Sequence, residues 1–199
     1  RLGYRAGVAL VEGGTFLRKL IWVEPVLRSI CEAVGTGLRA DRLPYIRGRG
    51  RLRFGNGVRL SGRSCFYFTP GMPEPPAIWV GDEVFIGNGC TLAAANRIEI
   101  GAHVLISAGV RIHDNDGHPR EVERRRAGLP LDPGEAQPVK IEDGAWIGAE
   151  AIVLKGVTIG RNAIVGAGAV VTRNVPADSV AAGNPAQIVR GAAGAATPR

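Results

Sequence analysis

Apolar residues recur at every sixth position over the last third of the chain. From residue 141 to residue 176 the sequence reads IEDGAW, IGAEAI, VLKGVT, IGRNAI, VGAGAV and VTRNVP. The first position of every hexad is Ile or Val, and the fifth position is Ala or Val. A helix cannot use this period, whereas a solenoid of short strands can. Each hexad then forms one side of a triangular coil, with a short strand followed by a corner. The pattern therefore predicts stacked parallel strands around an aliphatic core.

The same period runs through earlier parts of the chain. VGDEVF, IGNGCT and LAAANR follow one another from residue 80, and after a two-residue slip IGAHVL and ISAGVR follow from residue 100. FGNGVR at residue 54 is a weaker copy, so we predict that the β-domain spans residues 51–190. Cys90 occupies a fifth position, which indicates a small buried side chain. Two insertions are expected, at 66–76 and at 113–138, and loops on a rigid scaffold often carry function.

Residues 1–50 are predicted to form an N-terminal helical and basic segment. One amphipathic helix is expected, with Thr15 as its cap and Gly35 and Gly37 at its end. Pro25 should kink or divide this helix. Its apolar face would contain Phe16, Leu20, Val23, Leu27, Ile30 and Val34. We interpret this face as a packing surface, and peripheral membrane contact through it is the alternative. Residues 191–199, rich in Ala and Gly, are expected to be a disordered tail.

The composition and the net charge limit the classes of molecule that the chain is expected to bind. The chain has 29 Gly, only 6% aromatic residues, a formal charge of +7 and a pI near 10.0. Much of the positive charge lies in one stretch of the sequence, where Asp41 is the only acidic residue. The arginines of this stretch are Arg39, Arg42, Arg47, Arg49, Arg51, Arg53, Arg59 and Arg63. This stretch is either a solvated basic surface or a site for an anionic cofactor, glycan or membrane. We do not expect a nucleic-acid partner, since no binding module and no interleaved stacking aromatics are present.

The spacing of the cysteines and the length of the apolar runs indicate the cellular compartment of the protein. Cys31, Cys65 and Cys90 are odd in number and far apart, which fits neither a disulfide framework nor a paired zinc motif. No secretory signal is visible, and no apolar run is long enough to span a bilayer. We therefore expect a cytoplasmic protein, with the inner face of the membrane as a further option.

The stretch from PVKIEDG to PAQIVR resembles the galactoside, maltose and nodulation acetyltransferases of the hexapeptide-repeat family. His118-Pro119 is similar to the catalytic histidine motif of that group, and HDNDGHP is most similar to acetyltransferases of polysaccharide and lipopolysaccharide clusters. The resemblance implies an all-β fold, the left-handed parallel β-helix. It also implies acetyl-CoA as co-substrate, no required metal, and a homotrimer whose active sites lie between subunits.

The resemblance assigns a general base to His118, which would take the proton of an attacking sugar hydroxyl and return it to the CoA thiolate. Asp114 and Asp116 either orient this imidazole, bind the acceptor or stabilise the loop. Asn88, Asn96 and His113 are the acceptor-binding candidates, although surface placement is equally open for His113. The assigned CoA-binding residues are Trp146, Ala149, Ala167, Thr172, Arg173 and Arg190.

Three departures from the galactoside-type pattern affect the expected sites. Gly87 stands where those enzymes place a sugar-contacting Asn, and Ala94 stands where they place an acidic residue. Gln187 replaces a usual Arg near CoA, while Arg190 keeps a second basic position. We therefore expect CoA binding to be intact and the acceptor to differ from a galactoside.

Other functions remain open at this stage. The acceptor could be an amino sugar or an antibiotic. A metal enzyme of the γ-carbonic-anhydrase type shares this coil, but a third ligand should lie about two coils away and His103 lies only ten residues before His113. A non-catalytic scaffold is the remaining alternative.

Overall fold

The structure is a computed structural model that describes residues 19–191. The predicted cap Thr15, the apolar position Phe16, the side chain of Leu20 and residues 192–199 of the predicted tail lie outside the described residues. Nearly all strands pair in parallel, and three sheets form the three sides of a triangular coil.

The strands return to the same sheet once per coil. Sheet A contains β1 (Ala33–Val34), β4 (Arg51–Phe54), β7 (Ala77–Val80), β10 (Arg97–Ile100), β13 (Val139–Ile141) and β16 (Thr158–Ile159). Sheet B contains β2 (Arg39–Ala40), β5 (Arg59–Leu60), β8 (Phe85–Ile86), β11 (Leu105–Ile106), β14 (Trp146–Ile147), β17 (Ile164–Val165), β19 (Val180–Gly183) and β20 (Ala186–Arg190). Sheet C contains β3 (Tyr45–Arg47), β6 (Cys65–Phe68), β9 (Thr91–Ala94), β12 (Arg111–His113), β15 (Ile152–Val153) and β18 (Val170–Val171). Only β19 and β20 pair antiparallel among these strands, and they close the coil.

We number the coils by residue: coil 1 is 33–50, coil 2 is 51–76, coil 3 is 77–96, coil 4 is 97–138, coil 5 is 139–157 and coil 6 is 158–174. Turns joining sheet B to sheet C form the BC corner, and turns joining sheet C to sheet A form the CA corner.

The hexad pattern matches the core. First-position residues stack directly above one another, as in Ile106 opposite Ile147 and Ile147 opposite Val165, and all three are fully buried. Fifth-position residues such as Ala151 and Cys90 are also fully buried. The Cys90 thiol lies 3.1 Å from the Ser107 carbonyl oxygen, and burial raises its pKa to about 11, so it is an unreactive core residue. The parallel sheets are consistent with the expected left-handed β-helix, and the all-β prediction is confirmed.

The solenoid begins at Ala33, so the predicted start at residue 51 is wrong. β1, β2 and β3 pair with β4, β5 and β6 and form a complete first coil. The predicted basic segment is therefore largely the outer surface of coil 1. Sequence reading missed this coil because Val34, Gly35 and Gly37 of VGTGLR were assigned to the N-terminal helix and its end, and because the next hexad, ADRLPY, has no glycine.

The N-terminal helix is shorter than predicted. A π-helical turn, Lys19–Val23, leads into helix α1, Glu24–Ile30, with Pro25 in the first turn of α1, so the chain is divided at the proline as expected. Val23 and Leu27 are buried against the coil, but Ile30 is 54% exposed and Val34 lies in β1. The expected six-residue apolar face is therefore wrong for these last two positions.

Glycine at position 35 serves the coil and does not end the helix, which stops at Ile30. A Cβ atom on Gly35 would lie 2.5 Å from the backbone carbon of Gly55 in the next coil. Such a contact is far inside van der Waals distance, so stacking of coils 1 and 2 excludes any side chain here.

Both insertions are present but shifted at their starts. β6 extends to Phe68, so the first insertion comprises residues 69–76, and the second begins after His113. The second insertion, which we call the active-site loop (114–138), contains helix α2 (Val122–Arg126) and a 3₁₀ turn (Pro133–Glu135). A small apolar cluster joins the two insertions and contains Met72, Ala95, Leu131 and Ala136. Between residues 19 and 191, no helix has the length and apolarity needed to cross a bilayer.

Candidate active site

The active-site loop leaves the CA corner of coil 4 and is anchored at its first residue. Asp114 is fully buried, and its carboxylate oxygens accept hydrogen bonds from the Ala95 and Asn96 backbone N–H groups, each at 2.7 Å. Its own carbonyl accepts a hydrogen bond from the Gln137 N–H at 2.8 Å, which ties the two ends of the loop together. These contacts favour the loop-stabilising interpretation of Asp114 over acceptor binding or contact with a catalytic imidazole.

Asn115 extends this anchor, and sequence analysis did not single it out. Its side-chain amide donates to Asp114 Oδ1 at 2.8 Å and to the Ala93 carbonyl at 3.3 Å. Its Oδ1 accepts from the Gly117 N–H at 2.8 Å, which shapes the turn that leads to His118. The Asn in HDNDGHP is a turn-forming residue, and that property was the signal available in the sequence.

The tip of the loop is tied to coil 5 by Lys155, a second residue that sequence analysis missed. The Lys155 side chain is 12% exposed, and its Nζ donates to Asp116 Oδ2 at 2.6 Å and to the Glu135 carbonyl at 2.9 Å. Arg120 Nε also donates to Asp116 Oδ2, at 3.1 Å. Asp116 therefore binds two cations and does not hydrogen-bond to His118.

The Asp116 carboxylate is held in its charged form. Burial pushes its pKa upward, but the hydrogen bonds from Lys155 and Arg120 outweigh burial, so the pKa lies below the 3.8 usual for aspartate. Charge-assisted hydrogen bonds of this kind are stronger than neutral ones, so this pair restrains the loop at neutral pH.

His118 lies four residues into this anchored loop. Its side chain is exposed beside a buried Pro119, and within residues 19–191 its imidazole has no hydrogen-bond or ion-pair partner. A histidine on an anchored loop, with both ring nitrogens open, is suited to accept a proton from an incoming ligand.

The other two histidines lie in different environments. His113 ends β12 and is half-buried, and burial together with Arg111 lowers its pKa, although Asp114 opposes this effect. His103 is an exposed turn residue with φ of 57°, as the hexad position predicts. Within the described part of the chain, no three His, Cys, Asp or Glu side chains are grouped so that they could hold a metal ion.

A cleft of about 420 Å³ lies between the two insertions and sheet A, and we call it the insertion cleft. The acceptor candidate Asn96 lines it, together with Arg51, Glu74, Trp79, Arg97 and Pro133. The indole N–H of Trp79 is buried and has no hydrogen-bond partner among the described residues. Asp114 fixes the backbone of Asn96, which connects the cleft floor to the start of the active-site loop.

Asn88 is not part of this cleft. It lies at the BC corner, where its Oδ1 accepts from the Arg63 backbone N–H at 2.9 Å. The predicted acceptor residues are therefore separated, with Asn96 at the CA corner and Asn88 at the opposite edge of sheet C.

The predicted CoA-binding residues are also divided between parts of the coil. Ala149 and Ala167 stack at the BC corner, where the Gly168 N–H donates to the Ala149 carbonyl at 2.8 Å. Thr172 and Arg173 follow β18 at the CA corner. Trp146 faces outward from sheet B and donates to Ser107 Oγ at 3.2 Å, while Arg190 is exposed on β20.

Several known proteins are similar to this chain in sequence or in fold. Residues 138–173 match the family model described as bacterial transferase hexapeptide (six repeats). Nodulation protein L of Rhizobium leguminosarum is 46% identical over 114 residues, which is 57% of each chain. Galactoside O-acetyltransferase of Escherichia coli is 33% identical over 124 residues, which is 59% of each chain. A point mutant of AntD, an N-acyltransferase from Bacillus cereus, solved with dTDP and coenzyme A, superposes with a TM-score of 0.66 at 17% identity, over 84% of this chain and 89% of that one.

These similarities have a defined extent. The chain spans less than two thirds of nodulation protein L and of the galactoside enzyme, at 57% and 59% of their lengths. The similarity to AntD, at 17% identity, shows a shared fold. The matched residues 138–173 cover most of coils 5 and 6, where the hexads are most regular. Residues 138–173 therefore match the hexapeptide-repeat transferase model, as the hexads predicted.

Proposed function

We propose that the chain is an acetyl-CoA-dependent O-acetyltransferase that acts on a hydroxyl of a sugar or of a cell-surface polysaccharide precursor. The observation that carries this proposal is His118, an exposed imidazole on a loop fixed at Asp114 and at Asp116–Lys155, beside a hexapeptide-repeat transferase domain. The relatives named as acetyltransferases support the reaction class.

In the proposed reaction, His118 accepts the proton of the acceptor hydroxyl as the oxygen attacks the thioester carbonyl. A tetrahedral intermediate forms, and its collapse breaks the carbon–sulfur bond. The same imidazole then donates the proton to the departing CoA thiolate, so the enzyme ends the cycle unchanged. The chain's own contribution is to hold this nitrogen in place and to exclude competing acceptors.

The proposed site is shared between two chains of a homotrimer. Ala149, Ala167 and Asn88 lie at the BC corner, whereas the active-site loop and Arg173 leave from the CA corner. If the CA corner of one chain faces the BC corner of the next, both groups meet in one groove, which a single chain does not provide. An outward apolar row on sheet B is available for contact between chains and contains Leu105, Trp146, Ile164 and Val180. Closed symmetric assemblies commonly bury such rows.

The insertion cleft is the proposed acceptor subsite. Its volume of about 420 Å³ falls within the usual range for small-molecule sites. Its polar side chains, Asn96 and Glu74, suit hydroxyl-rich ligands. Gly87 and Ala94, where the chain departs from the galactoside pattern, lie elsewhere in coil 3. The residues of the insertion cleft would therefore determine which acceptor binds.

We also propose a cytoplasmic location. All three cysteines, Cys31, Cys65 and Cys90, are free thiols in the structure.

The proposal is tested by incubating the purified chain with acetyl-CoA and a panel of neutral, acidic and amino sugars, while release of the CoA thiol and the mass of each acceptor are followed. We expect an O-acetylated sugar, and His118→Ala should lower the transfer rate about 10²–10⁴-fold with little change in acetyl-CoA affinity. His103→Ala, an exposed histidine on another turn, is the matched control and should keep full activity. Near-normal turnover of His118→Ala would show that the base is misassigned, and acetylation of amino groups alone would replace the O-acetyl proposal with an N-acetyl one.

A further inference from the structure

The N-terminal end of the solenoid combines a cluster of positive charge with exposed apolar side chains. Six exposed arginines surround coils 1 and 2, and we call them the arginine collar: Arg39, Arg42, Arg47, Arg49, Arg59 and Arg63. None of the six forms an ion pair with an acidic residue between positions 19 and 191, whereas their neighbours Arg51 and Arg53 both pair with Glu32. The collar is therefore uncompensated within the described chain.

Several of these arginines are held in outward orientations. Arg47 lies over the ring of Tyr67 with 5.6 Å between its Cζ and the ring centroid, and Arg59 lies over Phe85 at the same distance. Arg39 and Arg59 are register neighbours on sheet B, so their charges lie on one side of the coil. Stacking on an aromatic ring leaves the guanidinium N–H edges free for anionic oxygens.

The end helix places apolar side chains beside this charge. Val23 and Leu27 pack into the coil, while Ile21 and Trp22 on the same helical segment are 63% and 61% exposed. Trp22 lines a cleft of about 480 Å³ together with Arg42 and Arg63 of the collar. An exposed tryptophan next to two arginines is the combination found where proteins meet a bilayer interface, because indole favours that interface and guanidinium binds phosphate.

We propose that this end of the solenoid docks on the surface of an anionic phospholipid bilayer, with the collar on the phosphates and with Ile21, Trp22 and Ile30 inserted among the headgroups. A second copy of the chain fits less well, since symmetric contact would bring the two collars together. A nucleic acid could stack a base on Trp22 but would leave the aliphatic side chains of Ile21 and Ile30 in water. The inference is independent of the transferase activity, because it uses none of the proposed catalytic or CoA-binding residues.

The test is sedimentation of the full chain with vesicles of phosphatidylcholine alone or with about one third phosphatidylglycerol, at low and high salt. We expect binding to the anionic vesicles only, and binding should weaken as the salt concentration rises, because salt screens the collar. Arg42→Gln with Arg63→Gln should weaken binding by about tenfold or more, since each basic residue near an anionic surface contributes severalfold. Trp22→Ser should weaken binding at both salt concentrations.

The control is Arg111→Gln with Arg161→Gln, which removes the same charge from exposed positions outside the collar and should bind like the parent chain. Circular dichroism of all variants checks the fold. The proposal is overturned if the parent ignores anionic vesicles, if the collar and control variants lose binding equally, or if Trp22→Ser has no effect. It is also overturned if the collar variant changes only the oligomeric state or only RNA binding.

Discussion

Coils 1 and 2 and coils 5 and 6 build the same triangular section from different side chains. In coils 5 and 6 most fifth positions are alanines, as in Ala151 and Ala163, and the inward first positions are Ile and Val. In coil 2 the inward residues include Phe54 and Phe66, whose rings meet edge to face with centroids 5.7 Å apart. The coil therefore requires apolar inward positions in register, and it tolerates a wide range of residue sizes as long as each layer is filled.

The outer surfaces of the two regions differ more than their cores. Coils 1 and 2 carry the arginine collar, whereas the BC corner of coils 5 and 6 is lined by small residues such as Ala149 and Ala167. A small-residue corner lets a ligand approach the backbone, and a charged coil surface attracts anions from solution. The proposed cofactor region and the proposed docking region therefore lie at different places along one continuous core.

The largest effect is expected from a change in the regular coils. Ile147→Ala in coil 5 should lower the free energy of unfolding by about 2–5 kcal/mol, because it opens a cavity at a fully buried position. Ile46→Ala, at a half-buried first position in coil 1, should cost about half as much. Urea denaturation of both variants gives the comparison. Equal costs would show that coil 1 is packed as tightly as coil 5.

This contrast also explains what the sequence could and could not predict. Strict hexads with Gly and Ile repeats made coils 5 and 6 readable, but coil 1 was missed because VGTGLR was assigned to the end of the N-terminal helix and ADRLPY keeps only the inward period. The loop carrying His118 was predicted from its motif. The Lys155–Asp116 contact was not, because it joins residues 39 positions apart, and local sequence says little about pairs brought together by the coil.

The next expected effect concerns CoA affinity. Arg173→Ala and Arg190→Ala should each weaken CoA binding by about 1–3 kcal/mol, since exposed guanidinium groups can bind phosphate oxygens, and the loss should shrink with added salt. Arg39→Ala and Arg59→Ala, outward arginines of coils 1 and 2, are the matched controls and should leave affinity unchanged. Calorimetric titration decides this, and an effect of the control pair equal to that of the test pair would place CoA elsewhere.

A smaller effect is expected where coil 5 holds the active-site loop. Lys155→Met removes the ammonium from Asp116 and from the Glu135 carbonyl, so hydrogen exchange in 114–138 should speed up by about tenfold. The transfer rate should fall while the KM for acetyl-CoA changes little, and Lys155→Arg should restore part of it. Lys140→Met breaks an exposed pair with Glu142 in the same coil and is the control. Unchanged loop exchange in Lys155→Met would remove its positioning role.

The smallest effect is a pH dependence of the same anchor. The pKa of Asp116 is lowered in the folded chain, so its contribution to loop stability is present above pH 3.8 and is lost as the pH falls through the folded value. Loop exchange, corrected for the intrinsic rate, should therefore stay constant near neutral pH and rise only in acid. In Asp116→Asn this acid-induced rise should be absent. A rise of equal size in that variant would assign the pH dependence to another group.

The most direct test of the shared site is complementation between two inactive variants. His118→Ala lacks the proposed base, and Ala149→Trp should block the BC corner through bulk alone. After the two variants are unfolded together and refolded as mixed trimers, about a quarter of the sites should combine an intact loop from one chain with an intact corner from the next. The account predicts that acetyl transfer returns to about that fraction of the parent rate. No recovered activity in trimers proven to be mixed would contradict a site built from two chains.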